Sequence, residues 1–216
     1  AAISPALDSS SLLLAIAAIP LFSLLASASA YAQYFPSEYW HDGWIVNDDA
    51  DTLRGEIKYD LPNDLVQVRN RDRINTFSSR KIVYIEFYDK TTENYRQFYS
   101  LPYAVNYDYK VPMLFELLYE GELSLLTRES IIQETVPSVQ SYSFSGYNQT
   151  RQRLDYSFYF LDKKGNIRLY NGKKPELQDA MRDRWSEVKP FMKKNHLSPD
   201  KIRDLVRIVA FYNSVK

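Results

Sequence analysis

The sequence predicts an α+β protein that is mainly β: an antiparallel curved sheet or half-open barrel of short strands, followed by two or three C-terminal helices that pack on it. Between residues 43 and 170, side chains of opposite character alternate in several short stretches, which is the repeat of a pleated strand. Turn-forming residues separate these stretches. In the segment 171–216, apolar side chains recur at helical intervals instead.

An apolar run over residues 12–25, which a proline and a serine interrupt, stands near the start of the chain. The run is shorter than the roughly 20 residues that a membrane-spanning helix needs. Overlapping small-x-small triplets follow it as far as Ala32, as in a signal-peptidase cleavage region. We therefore expect a cleaved export signal over residues 1–32 and a single mature domain over 33–216. A buried N-terminal helix is the alternative, since no Lys or Arg precedes the run.

Three predicted hairpins support a β-rich region between residues 43 and 170. Residues 47–52 are rich in Asn and Asp, which bond their own backbone and tolerate the left-handed region, so this segment joins two strands. Glu120 and Gly121 turn between a second pair of strands, and residues 164–166 turn between a third. Further strands are predicted near residues 65–69, 83–88, 96–100 and 131–136.

Two segments depart from the strand pattern. Residues 137–153 are polar with interspersed aromatics and have no usable period, so they are predicted to form a mobile loop. Ser198 as N-cap, Pro199 at the first helical position and Asp200 in the first turn predict a helix start. An apolar stripe, predicted to pack on the sheet, follows this start: Ile202, Leu205, Val206, Val209 and Tyr212.

The composition excludes several classes of partner. The 27 Lys and Arg residues balance the 27 Asp and Glu residues, so we expect no nucleic-acid partner. The charged C-terminal helix argues against membrane insertion. The absence of cysteine excludes disulfides, thiolate nucleophiles and Cys-ligated zinc.

No catalytic residue, cofactor or metal is predicted, because the chain has no serine-nucleophile elbow, phosphate-binding loop or dinucleotide fingerprint. Asp48, Asp49 and Asp51 resemble the start of a calcium loop. However, no glycine follows at the bend and no Glu closes the loop, so we predict a solvated turn. The remaining enzyme hypothesis is a carboxylate-based hydrolase that uses a pair such as Glu86 and Glu116.

Aromatic residues crowd near the expected mature start. Tyr39, Trp40 and Trp44 form a candidate ligand or partner surface there, since aromatic rings can stack on sugars. The alternative is that these rings make core contacts or cross-strand pairs, as most aromatics in β-rich domains do.

Five segments between residues 42 and 213 carry a common overall pattern: DGWIVNDDADTLRGEIKY, RQFYSLPY, LFELLYEGELSLLTRE, DYSFYFLDKKGNIRLY and LVRIVAFYN. This pattern resembles a widespread family of exported Bacteroidota proteins with a β-rich body and C-terminal helices. The resemblance implies a location in the periplasm or at the outer membrane, and it supplies no site residues. In that phylum an Asp-Thr-apolar triplet resembles a periplasmic O-glycosylation signal. Asp51-Thr52-Leu53 fits this signal at Thr52, or else these residues simply leave a hairpin turn.

Together these features predict an exported periplasmic or envelope protein, with a non-catalytic interaction or structural module as the first hypothesis. A carrier whose sheet encloses a small ligand or glycan is the second hypothesis, and the hydrolase is the third. The expected partner is therefore an envelope protein or a small ligand.

Overall fold

Ten strands form one antiparallel sheet in the computed structural model, which describes residues 35–106, 109–136 and 149–215. In chain order the strands are β1 His41–Asn47, β2 Thr52–Asp60, β3 Leu65–Asn70, β4 Arg73–Ser78, β5 Ile82–Asp89, β6 Asn94–Asn106, β7 Tyr109–Tyr119, β8 Leu123–Val136, β9 Gln149–Asp162 and β10 Ile167–Tyr170. All three predicted hairpins are confirmed.

In the part of the chain that the structure describes, the sheet is followed by the helices α1 Lys174–Ala180, α2 Trp185–Lys194 and α3 Ile202–Ser214. Short 3-10 turns lie at Pro36–Glu38, Ser79–Lys81 and Arg182–Arg184. The mainly β architecture with C-terminal helices is thus as predicted. Within the described residues, no helix is both long enough and apolar enough to span a bilayer.

The strand order is β10-β9-β8-β7-β6-β5-β1-β2-β3-β4, so β1 lies between β2 and β5. Strands β4 and β5 are four strand spacings apart, about 19 Å on a flat sheet. The four Cα steps from Ser78 to Ile82 reach at most about 14 Å. The sheet must therefore curl, and it curls without closing into a hydrogen-bonded ring.

The inner face of the curled sheet is the side that carries Ile45, Ile85 and Phe98, which stand opposite one another on β1, β5 and β6. These side chains are completely buried. Strands β2, β3 and β7 add further buried members to the same core: Ile57, Tyr59, Val66, Val68 and Leu114. The concave side of the sheet is therefore the main core of the β body.

The turn between β2 and β3 fills the gap where β7 and β8 diverge. Pairing between β7 and β8 covers residues 116–119 only, so the backbone of Leu114 lacks a strand partner on that side. The Asp64 carboxylate accepts a hydrogen bond from the Leu114 N–H at 2.7 Å, and Arg128 donates to the Leu114 carbonyl at 2.6 Å. Arg128 also pairs with Asp64 at 2.8 Å. This clamp fixes the β2–β3 turn against β7 and β8.

The helices pack on the inner-face side of β8, β9 and β10. Leu205, Val209 and Tyr212 are buried as predicted, and Ile208 joins them, whereas Ile202 is 39% exposed. Their neighbours on the strands include Leu125. The predicted packing of the terminal helix on the sheet is confirmed.

Two predicted boundaries were wrong. The last helix begins at Ile202 with Lys201 in the N-cap position, and its N-cap has no side-chain hydrogen bond. Ser198 forms a turn before it, closed by a bond from the Lys201 N–H to the Ser198 carbonyl. The predicted loop 137–153 also ends early, because β9 starts at Gln149 and pairs with β8 from there. Residues 137–148 of that loop, and the expected export signal over 1–32, lie outside the described residues.

Candidate functional site

A buried arginine lies at the centre of the inner face. Arg96 is on β6, two residues before Phe98, so strand alternation places both side chains on the inner side. Its side chain is 8% exposed, and its guanidinium carbon lies 5.1 Å from the Phe98 ring centre and 5.3 Å from that of Tyr59. A buried guanidinium needs partners for its N–H groups, and other strands supply them.

Three carboxylates and one hydroxyl surround Arg96. Glu116 on β7 binds it in bidentate fashion at 2.7 and 2.6 Å. Glu129 on β8 lies at 2.9 Å, Asp89 on β5 at 3.3 Å, and the Tyr59 hydroxyl on β2 at 2.6 Å. The Tyr59 hydroxyl in turn donates to Glu129. We call these five residues the arginine cluster.

The arginine cluster also shows how strongly the sheet curls. Tyr59 and Glu129 lie on strands five positions apart in the sheet, about 24 Å on a flat sheet. Nevertheless their side chains are hydrogen-bonded, so β2 and β8 approach each other across the concave side.

Burial shapes the acid–base properties of the cluster. Burial raises the pKa of the Tyr59 hydroxyl well above its ordinary value, and Glu129 adds to this effect while Arg96 opposes it. Burial opposes ionisation of Asp89, but hydrogen bonds from Thr91 and the charge of Arg96 outweigh it and lower the pKa of that carboxyl. Asp89 is therefore charged and Tyr59 is neutral near neutral pH.

His41 extends the cluster towards the N-terminal 3-10 turn. The His41 ring is buried, and its Nε2 donates to the Pro36 carbonyl at 2.7 Å. Its Nδ1 lies 3.8 Å from the Asp89 carboxylate and has no hydrogen-bond partner among the described residues. The contact with Pro36 holds the turn Pro36–Glu38 beside the arginine cluster.

A cleft of about 290 Å³ opens beside the cluster. Its walls come from the end of β2 and the turn after it (residues 58–62), from residues 129–131 of β8, from Leu154 of β9, and from Ser37 of the 3-10 turn. Leu61, Pro62, Ile131 and Leu154 make the lining mainly apolar. Tyr59 and Glu129 belong to both the lining and the arginine cluster, so the cleft has a buried polar floor.

The walls of the cleft are held by contacts outside it. The clamp of Asp64 and Arg128 holds the β2–β3 turn, and Arg128 also donates to the Leu61 carbonyl. Asp60 accepts hydrogen bonds from the backbone and side chain of Asn63 at 3.1 and 2.8 Å. A cleft with such braced walls is preformed, as small-molecule sites usually are.

Trp44, the member of the predicted aromatic surface that lies on a strand, points to the outer face of the sheet, away from the floor of the cleft. Trp44 packs against Tyr84 with ring centres 5.0 Å apart and the rings tilted by 55°. Trp40 stacks on the Arg69 guanidinium at 4.4 Å, and Tyr39 is 41% exposed. Trp44 and Trp40 are thus engaged in contacts with the sheet, as in the alternative interpretation.

The predicted hydrolase pair was wrong as a pair. Glu86 stands opposite Gln97 and Glu116 stands opposite Phe98, so the two carboxylates point to opposite faces. Glu86 accepts hydrogen bonds from Tyr84 and Gln97 on the outer face, whereas Glu116 binds Arg96 on the inner face.

The acidic hairpin turn is braced by its own neighbours. Asn47 accepts hydrogen bonds from the backbone of Asp49 and Asp51, and Lys81 pairs with Asp48 at 2.7 Å. No group of three or more His, Asp or Glu side chains in the described part of the chain is arranged to hold a metal ion. Thr52 is exposed at the start of β2.

Sequence reasoning found Glu116 but missed most of the arginine cluster. Arg96 precedes the apolar Phe98 by two positions, and Glu129 precedes Ile131 by two. A charged residue in an inward position of an alternating strand was the available signal. Nothing in the sequence indicated that these positions meet.

The chain was compared with protein-family models, with curated proteins and with solved structures, and none of the three comparisons found a match. The functional interpretation is therefore based on the geometry of the cleft and of the arginine cluster.

Proposed function

We propose that this protein is an exported envelope protein that binds a small molecule in the cleft between β2 and β8. The main support for this proposal is a cleft with braced, mainly apolar walls and with the buried Glu129 and Tyr59 side chains at its floor. Apolar walls with a few fixed polar groups are the usual composition of a ligand site. The apolar run and the small-residue triplets before residue 33 support the exported location.

The volume of the cleft limits the size of the ligand. At about 290 Å³ it is at the lower end of the range for small-molecule pockets. It suits a compact metabolite or a single sugar ring better than a polymer.

A thermal-shift screen of small molecules tests this proposal. The variant Ile131→Trp places a large side chain in the lining, and Leu154→Trp does so from the residue paired with Ile131 on β9. Ligands of the cleft raise the melting temperature of the wild-type protein and leave both filled variants unchanged. Equal rises in the wild-type and filled proteins would contradict the proposal.

The outer face favours a second candidate, interaction with another envelope protein. A row of aromatic side chains runs over that face from Trp44 through Tyr84 and Tyr99, with ring centres 5.0 and 4.9 Å apart. Aromatic residues are enriched in protein interfaces. Cross-linking in intact cells tests this candidate, which requires a stoichiometric partner attached through the outer face.

A further inference from the structure

The floor of the cleft has an excess of negative charge. Arg96 faces the three carboxylates of Asp89, Glu116 and Glu129. Among the described residues, Arg96 is the cation paired with each of these three carboxylates. The other basic side chain nearby is His41, whose Nδ1 lies 3.8 Å from Asp89. One guanidinium cannot neutralise three carboxylates, so a further positive charge is favoured close to them.

Glu129 is the one charged member of the arginine cluster that also lines the cleft. One of its oxygens accepts from the Tyr59 hydroxyl and the other from Arg96. A carboxylate offers about four lone-pair sites, so both oxygens retain acceptor capacity. The carboxylate suits an N–H donor with positive charge and repels an anion.

The other polar groups of the lining do not reverse this preference. Lys58 and Asp60 carry opposite charges, and Ser37 and Ser130 are neutral. The remaining walls are apolar. The cleft therefore combines a negative floor with apolar sides in a volume of about 290 Å³.

We infer that the cleft selects small molecules in which a protonated amine is joined to an apolar body, and that the Glu129 carboxylate receives the amine. This inference rests on the proposed function and specifies the ligand class of the same cleft. The apolar body contacts Leu61, Ile131 and Leu154.

Three probes with the same ring and different charge test the inference: benzylamine, benzyl alcohol and benzoate. At pH 7 and low salt, NMR titration of the labelled protein gives the affinity of each probe and the residues that respond. Benzylamine should bind at least about tenfold more tightly than benzyl alcohol, and benzoate most weakly, because a charge-assisted hydrogen bond forms only with the amine.

Two variants locate the charge that is responsible. Glu129→Gln should remove the preference for benzylamine over benzyl alcohol. Glu134→Gln, on the same strand but outside the cleft and paired with Arg151, should keep it. If Glu129→Gln does not fold, the order of affinity of the three probes for the wild-type protein tests the amine inference.

The outcomes separate the two proposals. If benzyl alcohol or benzoate binds in the cleft as tightly as benzylamine, the amine inference is overturned and the proposed function stands. If no probe shifts the resonances of residues 129–131 and filled variants respond like the wild type, both fail.

Discussion

Arg96 is the single residue on which the polar interior of the sheet depends. It joins side chains from β2, β5, β7 and β8, and each of its partners is itself buried. A buried ion cluster contributes little net stability compared with an apolar core, but removing one partner leaves charges buried without compensation. The Arg96 guanidinium is therefore important mainly because its removal would leave three carboxylates buried without a positive charge beside them.

We predict that Arg96→Met lowers the free energy of unfolding by about 3–5 kcal/mol, since three buried carboxylates lose their cation. Arg151→Met is the matched control, because Arg151 pairs with Glu134 at 2.9 Å on the surface. Arg151→Met should lower the free energy of unfolding by less than about 1 kcal/mol. Urea unfolding followed by circular dichroism gives the unfolding free energy of both variants. Equal decreases in the two variants would refute the structural role of the cluster.

The lowered pKa of Asp89 predicts an acid-dependent contribution to stability. Because the folded-state pKa lies below the unfolded value of about 3.9, the contribution is complete above that value. It is lost as the pH falls through the folded-state pKa. The difference in unfolding free energy between the wild type and Asp89→Asn should therefore shrink as the pH is lowered from 6 towards 3. A difference independent of pH in urea titrations would show that the carboxylate charge is not what stabilises the site.

At the scale of elements, one side chain ties the last helix to the sheet. Asn213 on α3 accepts a hydrogen bond from the Leu123 N–H at 3.1 Å and donates to the Leu123 carbonyl at 2.9 Å. It thereby takes the place of a strand partner at the start of β8. A Cβ on Gly121 would lie 2.5 Å from the Asn213 side chain, so the turn before β8 needs glycine for this contact.

Asn213→Ala should lower the free energy of unfolding by about 1–3 kcal/mol, because it leaves two backbone groups of Leu123 without partners. Hydrogen exchange at the Leu123 amide should accelerate accordingly. Asn195→Ala is the control, since the Asn195 side chain donates to a carbonyl of its own helix region, that of Phe191. Unchanged protection of Leu123 in Asn213→Ala would contradict the tie between α3 and β8.

The elements were more predictable than their arrangement. Local alternation and turn chemistry were sufficient for the three hairpins, because both signals lie within about fifteen residues of chain. The helix start was misplaced because Ser198, Pro199 and Asp200 form a turn of their own, while tertiary packing of Leu205 and Val209 sets where the helix begins. Capping residues predict the start of a helix only weakly where tertiary packing determines which residues are helical.

At the scale of the whole molecule, the candidate site depends on contacts that no local pattern contains. The bond between Tyr59 and Glu129 spans 70 residues, and that between Asp64 and Arg128 spans 64. Both arise because β1 is inserted between β2 and β5 and the sheet then curls. The sequence could indicate charged residues at inward positions, but only the topology brings them together around a cleft.

The most direct test of this account is NMR mapping of where a neutral small probe binds. Titration of the labelled protein with benzyl alcohol should shift the amide resonances of Leu61, Ser130 and Ile131 around the cleft. The same titration of Leu154→Trp, in which the cleft is filled, should leave those resonances unchanged. Shifts confined to the outer face around Trp44 and Tyr84 would contradict a ligand site in the cleft and would favour the outer face as the binding surface instead.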